Sequence, residues 1–194
     1  MTYNMANKSL SAASFRARLG DPALLDMLEH WLKLSAAEGG SVPNRARFDP
    51  TAIPTLLRHL QLHQREENGR FRCRLSGTAI VAALHRDATG TYLDEAIRPE
   101  AVGGRTRLFD RALETGMPLV YRGVIDVPGR GLKAYQRLLL PLAGADGTPA
   151  FVLSVMAFKT LGPMDAERLN DPQEVAELRR EAVAGAVAGR AQAA

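Results

Sequence analysis

Arg122, Tyr135 and Arg137 are the residues of this 194-residue chain whose types and spacing best suit binding chemistry. Two guanidinium groups and a phenol can hold a carboxylate or another anion, because an arginine presents paired N–H donors to paired oxygens. The three lie on two segments, Leu119–Val127 and Leu132–Leu140, which flank the turn cluster Pro128-Gly129-Arg130-Gly131. Counting outward from a loop of those four residues, Val127 opposes Leu132, Asp126 opposes Lys133, Val124 opposes Tyr135, and Arg122 opposes Arg137. Like charges directly opposite are destabilising. Either both arginines snorkel into water, or an acidic ligand or partner lies between them, with Arg122, Tyr135 and Arg137 as its site.

Other reactive residue types carry weaker patterns. His59 and His63 fall on one face of a strand and could begin a metal site, but no third ligand with suitable spacing accompanies them. His85, in His-Arg-Asp at a helix end, reads as exposed rather than as a haem ligand. Cys73 alternates on a strand between Phe71 and Leu75, which suits a buried structural thiol better than a chromophore attachment. The chain has no GxxxxGK[ST], GxGxxG, HExxH or GxSxG. No catalytic residues and no metal ligands are assigned, and no cofactor is identified.

The elements that position these residues follow from periodicity and breakers. Residues 1–20 are polar and read as a loose arm. Asp21-Pro22 starts a helix with Leu24, Leu28, Trp31 and Leu32 on one face, and Gly39-Gly40 ends it. That stripe either packs on a sheet within the chain or forms a dimer seam. Asn68-Gly69 is a hairpin turn. It pairs Leu62 with Leu75, placing Phe71, Cys73 and Leu75 with Leu60 and Leu62, and Arg72, Arg74, His59, Gln61 and His63 on the other face. Three short helices follow, around Ile80–Leu84, Tyr92–Ile97 and Val102–Leu113, the last ended by Gly116 and Pro118. The strands 119–127 and 132–140 and the segment Ala150–Phe158 complete the sheet. Ala150–Phe158 is apolar on both faces, as in a central strand covered on both sides. Residues 161–194 read as a helical or disordered tail, with a helix starting at Asp171-Pro172.

Composition narrows the class. The net charge is +4, from 25 Lys and Arg, of which 21 are Arg, against 21 Asp and Glu. No run of five basic residues occurs, so nucleic acid is not expected as a partner. One cysteine rules out an intrachain disulfide. The longest apolar stretch, Phe151–Phe158, is too short to span a bilayer, and the start lacks an apolar signal core. A cytoplasmic location without membrane attachment is expected.

Four motifs in order carry a resemblance. They are Pro43-Asn44-Arg45-Ala46-Arg47-Phe48-Asp49-Pro50 with Ile53-Pro54 and Leu56-Leu57; Phe71-Arg72-Cys73-Arg74-Leu75-Ser76-Gly77-Thr78; Arg86-Asp87-Ala88-Thr89-Gly90 with Leu93-Asp94-Glu95; and Arg137-Leu138-Leu139-Leu140-Pro141-Leu142 with Asp146-Gly147. With Trp31 on the leading helix, they resemble a bacterial PAS-like family over about residues 21–160. Departures are Arg58 for a usual Pro, Gln61 and His63-Gln64 for a more apolar stretch, and His85 for a usual Gly.

The resemblance implies an α+β fold: a PAS-like five-stranded antiparallel sheet with helices on one face, a leading helix and a C-terminal tail. The last strand sits mid-sheet beside the first. It implies a non-catalytic sensory or regulatory module in signal transduction, binding a small molecule or a protein partner. The site residues named above suggest that the small molecule is acidic. Output through another chain and a homodimer are expected. The alternatives are a small α+β enzyme of the cone-shaped or hot-dog kind, or a basic anion- or nucleic-acid-binding protein.

Overall fold

Strand β1 (Lys8–Leu10) and helix α1 (Ala12–Arg16) lie within the stretch that its polarity marks as a loose arm. The arm is held by two apolar residues. Phe15 is fully buried and Leu19 nearly so, both in the cluster that also holds the leading helix. Ser11 caps α1 by accepting from the Ser14 N–H at 3.3 Å. The structure, a computed structural model, describes residues 8–127, 131–160 and 175–178.

Helix α2 (Pro22–Ala37) begins as its caps dictate, with Asp21 accepting from the Ala23 N–H at 2.8 Å. Short helical turns then lead into β2 (Leu60–Arg65) and β3 (Phe71–Ser76). Helices α3 (Thr78–Leu84), α4 (Leu93–Ala96) and α5 (Pro99–Thr115) follow, then strands β4 (Leu119–Val127), β5 (Gly131–Ala143) and β6 (Pro149–Thr160). Gly116 ends α5 in the left-handed conformation.

The sheet order is β1-β7-β4-β5-β6-β2-β3, where β7 is Val175–Leu178. Its five strands from β4 to β3 are the expected antiparallel set, with β6 between β5 and β2. Two further strands extend it at β4. Val175 and Leu178, within the stretch expected as a helical or disordered tail, belong to strand β7, antiparallel to β4 and parallel to β1. All four residues of β7 are buried. Val175 packs on the α5 side and Ala176 and Leu178 on the α2 side, a period of two. The expected helix start at Asp171-Pro172, like the rest of 161–174 and 179–194, lies outside the described residues.

Each face of the sheet has its own core. Leu24, Met27, Leu28, Trp31 and Leu32 of α2 pack on Leu60, Leu138, Leu140, Leu153 and Val155. Trp31 Nε1 donates to the Pro141 carbonyl at 2.8 Å. The apolar stripe of α2 is therefore spent within the chain and is not a seam between copies. On the other face, Leu108, Phe109, Ala112 and Leu113 of α5 pack with Phe71, Ile80, Leu93, Leu139 and Val152.

Candidate functional site

Register decides which polar residues enter the α5-side core. Val127 pairs with Gly131, so three residues separate the paired ends of β4 and β5 rather than four. An odd change in that number turns every side chain of one strand to the opposite face. Arg122 accordingly pairs with Gln136, Gly123 with Tyr135, and Tyr121 with Arg137. The expected Arg122–Arg137 opposition does not occur. The first hairpin departs similarly. Leu62 does pair with Leu75, but an irregularity follows and His63 pairs with Cys73. Gln61 and His63 therefore share the buried α5 side with Phe71 and Cys73, while Leu62 faces α2 and Leu75 is 41% exposed.

These shifts create a polar seam inside the apolar core. Arg137 is 3% exposed. Its Nη2 donates to the Gln61 amide oxygen. Its Nη1 lies 3.5 Å from the Tyr121 hydroxyl. Its buried Nε has no acceptor among the described residues, and no carboxylate pairs with it there. The guanidinium also sits 5.8 Å from the Phe109 ring centre. Taking a charge out of water is costly unless it is paired, so Arg137 is held in the core by neutral partners alone.

A second guanidinium approaches from the helix. Arg105 of α5 donates to the Tyr135 hydroxyl at 3.0 Å and lies 5.1 Å from the Tyr121 ring centre. Tyr121 and Tyr135 meet edge to face, with ring centres 6.1 Å apart. Gly123 makes this possible, because a Cβ there would stand 2.5 Å from the Tyr135 hydroxyl oxygen.

Two titratable groups border the seam. Burial, and then the charge of Arg105, push the His63 imidazole down to about 3. It is neutral, tilted against Phe109 with ring centres 4.9 Å apart, and its Nδ1 is unpartnered among the described residues. Burial pushes the Cys73 thiol up to about 11, against the opposite pull of hydrogen bonding to the Leu75 backbone and the Gln61 side chain. The thiol lies 3.3 Å from the Leu75 carbonyl oxygen, to which it donates, which fits the structural reading of this cysteine.

Of the three expected site residues, Tyr135 and Arg137 share the interior face and Arg122 does not. Arg122 is exposed on the other face, where its Nη2 donates to the Arg18 carbonyl at 3.2 Å, beside the 2.6 Å bond from Gln136 to the same oxygen. It anchors the segment between α1 and α2. His59 sits in a helical turn before β2, with Nδ1 3.3 Å from the Met156 carbonyl, and does not share a strand face with His63. His85 is exposed at the end of α3. Among the described residues no three metal-ligating side chains cluster.

Sequence reasoning missed Gln61, Tyr121 and Arg105. Arg105 carried a signal: it stands three, four and seven residues before Leu108, Phe109 and Ala112, and so lies on the buried face of α5.

A guanidinium fork filled by a carboxylate is seen elsewhere in the chain. At the surface, Arg70 Nε and Nη2 donate to the two oxygens of Asp94 at 3.0 and 2.8 Å.

With this geometry in place, comparison with known proteins adds the following. Residues 20–157 match the family described as PAS domain. No curated protein matches the chain. Among solved structures, the light-state blue-light photoreceptor Aureochrome1 LOV is similar over 61% of this chain and 93% of its own, at 9% identity and a TM-score of 0.40. VqmA bound to DPO is similar over 58% of this chain and 59% of its own, at 13% identity and a TM-score of 0.44. A fungal LOV domain photoreceptor is similar over 74% and 96%, at 12% identity and a TM-score of 0.39.

Proposed function

The chain belongs to the PAS domain family, whose pattern fills residues 20–157, and from that premise we propose that it is a sensory or regulatory module that binds a small acidic molecule between its sheet and α5. Arg137 carries the reading. A buried guanidinium whose fork is half used and whose charge has no counter-ion among the described residues is a receptor for an anion. Tyr135, brought to the same face and bonded to Arg105, supplies the second wall.

The same chemistry favours binding over catalysis. Arginine keeps its proton at neutral pH, and His63 stays neutral down to about 3. The guanidinium holds a charge, and neither group exchanges a proton near neutral pH. Output to a protein partner and pairing into a homodimer belong to the same proposal and rest on family membership. No helix of the described residues is long and apolar enough to cross a membrane.

Native mass spectrometry of the purified chain, beside its denatured spectrum, tests the reading. A small acidic mass retained by the native protein and lost from Arg137→Met supports it. A mass retained equally by Arg137→Met sinks it. The same spectrum reports the number of subunits.

A further inference from the structure

Resting on the reading that Arg137 holds an anion, we infer that Gln61 is the exchangeable partner of that site: its amide oxygen occupies half of the Arg137 fork and gives way there to a ligand carboxylate. The fork geometry carries this. A guanidinium meets a carboxylate side-on through Nε–H and Nη2–H together, the mode Arg70 adopts with Asp94. At Arg137 the Gln61 oxygen takes Nη2, and Nε is left over. One amide oxygen is neutral and does not span both donors. A carboxylate spans both and neutralises the charge.

The surroundings suit an exchange. Gln61 lies on β2 and Arg137 on β5, with β6 between them, so no backbone ladder locks the two side chains together. The β6 residue opposite Gln61 is Ser154, a small residue whose buried hydroxyl has no partner among the described residues. Gln61 also interacts with the Cys73 thiol, which can donate as well as accept. A displaced amide therefore has somewhere to turn.

The test is thermal unfolding of the full chain and its Gln61→Glu variant in millimolar sodium acetate, succinate or benzoate, against sodium chloride of equal ionic strength. Gln61→Glu fixes a carboxylate at the fork. It is expected to raise Tm by about 3–6 °C, a rise that disappears when Arg137 is also changed to Met. At least one carboxylate is expected to raise the Tm of the wild-type chain and leave Gln61→Glu unmoved. A Gln61→Glu protein that melts at or below wild type overturns the inference, because the fork then does not take a carboxylate. Equal rises of both proteins in the same carboxylate also overturn it, yet leave small-molecule binding standing at another place. A stabilised Gln61→Glu beside a wild-type chain that ignores all three salts sinks the acidic-ligand reading and the exchange with it. Gln61→Asn keeps the test independent of the Glu variant. Its shorter amide withdraws from the fork, so carboxylates should bind it roughly 2–5-fold more tightly than wild type, and weaker binding refutes the exchange.

Discussion

Arg137 of β5 and Gln61 of β2 are joined by a hydrogen bond although a whole strand runs between them. Arg137 pairs with Met156 on β6, and Gln61 with Ser154 two residues back, so the contact crosses the sheet diagonally. Both side chains are buried. Removing the acceptor alone strands a charge in the core, so Gln61→Leu should cost about 1–3 kcal/mol. Replacing the charge itself with Met removes a desolvation cost and should be close to neutral. The double variant should then resemble Arg137→Met alone. Urea unfolding of the four proteins gives the coupling energy, and strict additivity would mean that the two residues do not act together.

Gly77 makes a closer approach than any side chain allows. A Cβ there would stand 2.4 Å from the Arg58 carbonyl oxygen and 2.5 Å from that of Leu57. These are backbone atoms of the turn before β2, which cannot swing aside. Gly77→Ala should cost more than about 2 kcal/mol, seen as a lower urea midpoint. A loss of a few tenths would show that the turn yields.

Gly123 differs, because what it would strike is a side chain. Its Cβ would meet the Tyr135 ring and hydroxyl, so Gly123→Ala should displace Tyr135 and break the bond from Arg105. The expected cost is about 1–3 kcal/mol. In a Tyr135→Leu background the same change should cost little, and a cost unaffected by that background would locate the strain elsewhere.

How far the sequence could be read has a simple physical limit, which is parity. The helix caps, the Asn68-Gly69 turn and the two-faced apolar character of Ala150–Phe158 specify the elements and their order, because local chemistry decides them. The face a strand residue occupies depends on whether a connection holds an odd or an even number of residues. Counting four residues between β4 and β5 where the pairing leaves three put Arg122 on the face of Arg137 and opposed the two. The irregularity after Leu62 put Phe71 and Cys73 on the face of Gln61 and His63 rather than on that of Leu60 and Leu62. One of the departures from the family pattern near β2, Gln61, thus proved to be the residue that meets Arg137. Strand β7 was illegible for another reason. Val-Ala-Glu-Leu fits either period over four residues, and only its burial between β1 and β4 selects the strand.

His85 stands where the resembled family usually has glycine, and its backbone shows why. At φ 53° it has the single positive φ of a non-glycine residue among those described. The left-handed region costs an L-residue about 1–2 kcal/mol, of which glycine's extra freedom in the unfolded chain returns part. His85→Gly should therefore stabilise the protein by about 0.5–1 kcal/mol, measured as a higher urea midpoint at unchanged slope. The side chain is exposed, so little packing is lost. A destabilised variant would mean that the imidazole makes a contact outweighing the strain.

His63 should give the protein a pH dependence that one substitution removes. Burial first, and Arg105 second, lower its folded-state value from 6.5 to about 3. Between those values the unfolded chain binds a proton at this residue and the folded chain does not. Stability is therefore fully retained above about 6.5 and falls as the pH drops toward 3, by up to about 1.4 kcal/mol per pH unit. Carboxylates contribute their own losses below about pH 5, and His30, which burial and then Lys33 also hold below its ordinary value, contributes a loss of the same sign, so the share of His63 is the difference between wild type and a variant that lacks its imidazole. His63→Phe keeps an aromatic ring against Phe109 and has no proton to gain. Between pH 6.5 and 5 it should lose up to about 2 kcal/mol less than wild type. Parallel curves would show that the imidazole accepts a proton in place, and that the core around Arg105 and Arg137 admits a further positive charge.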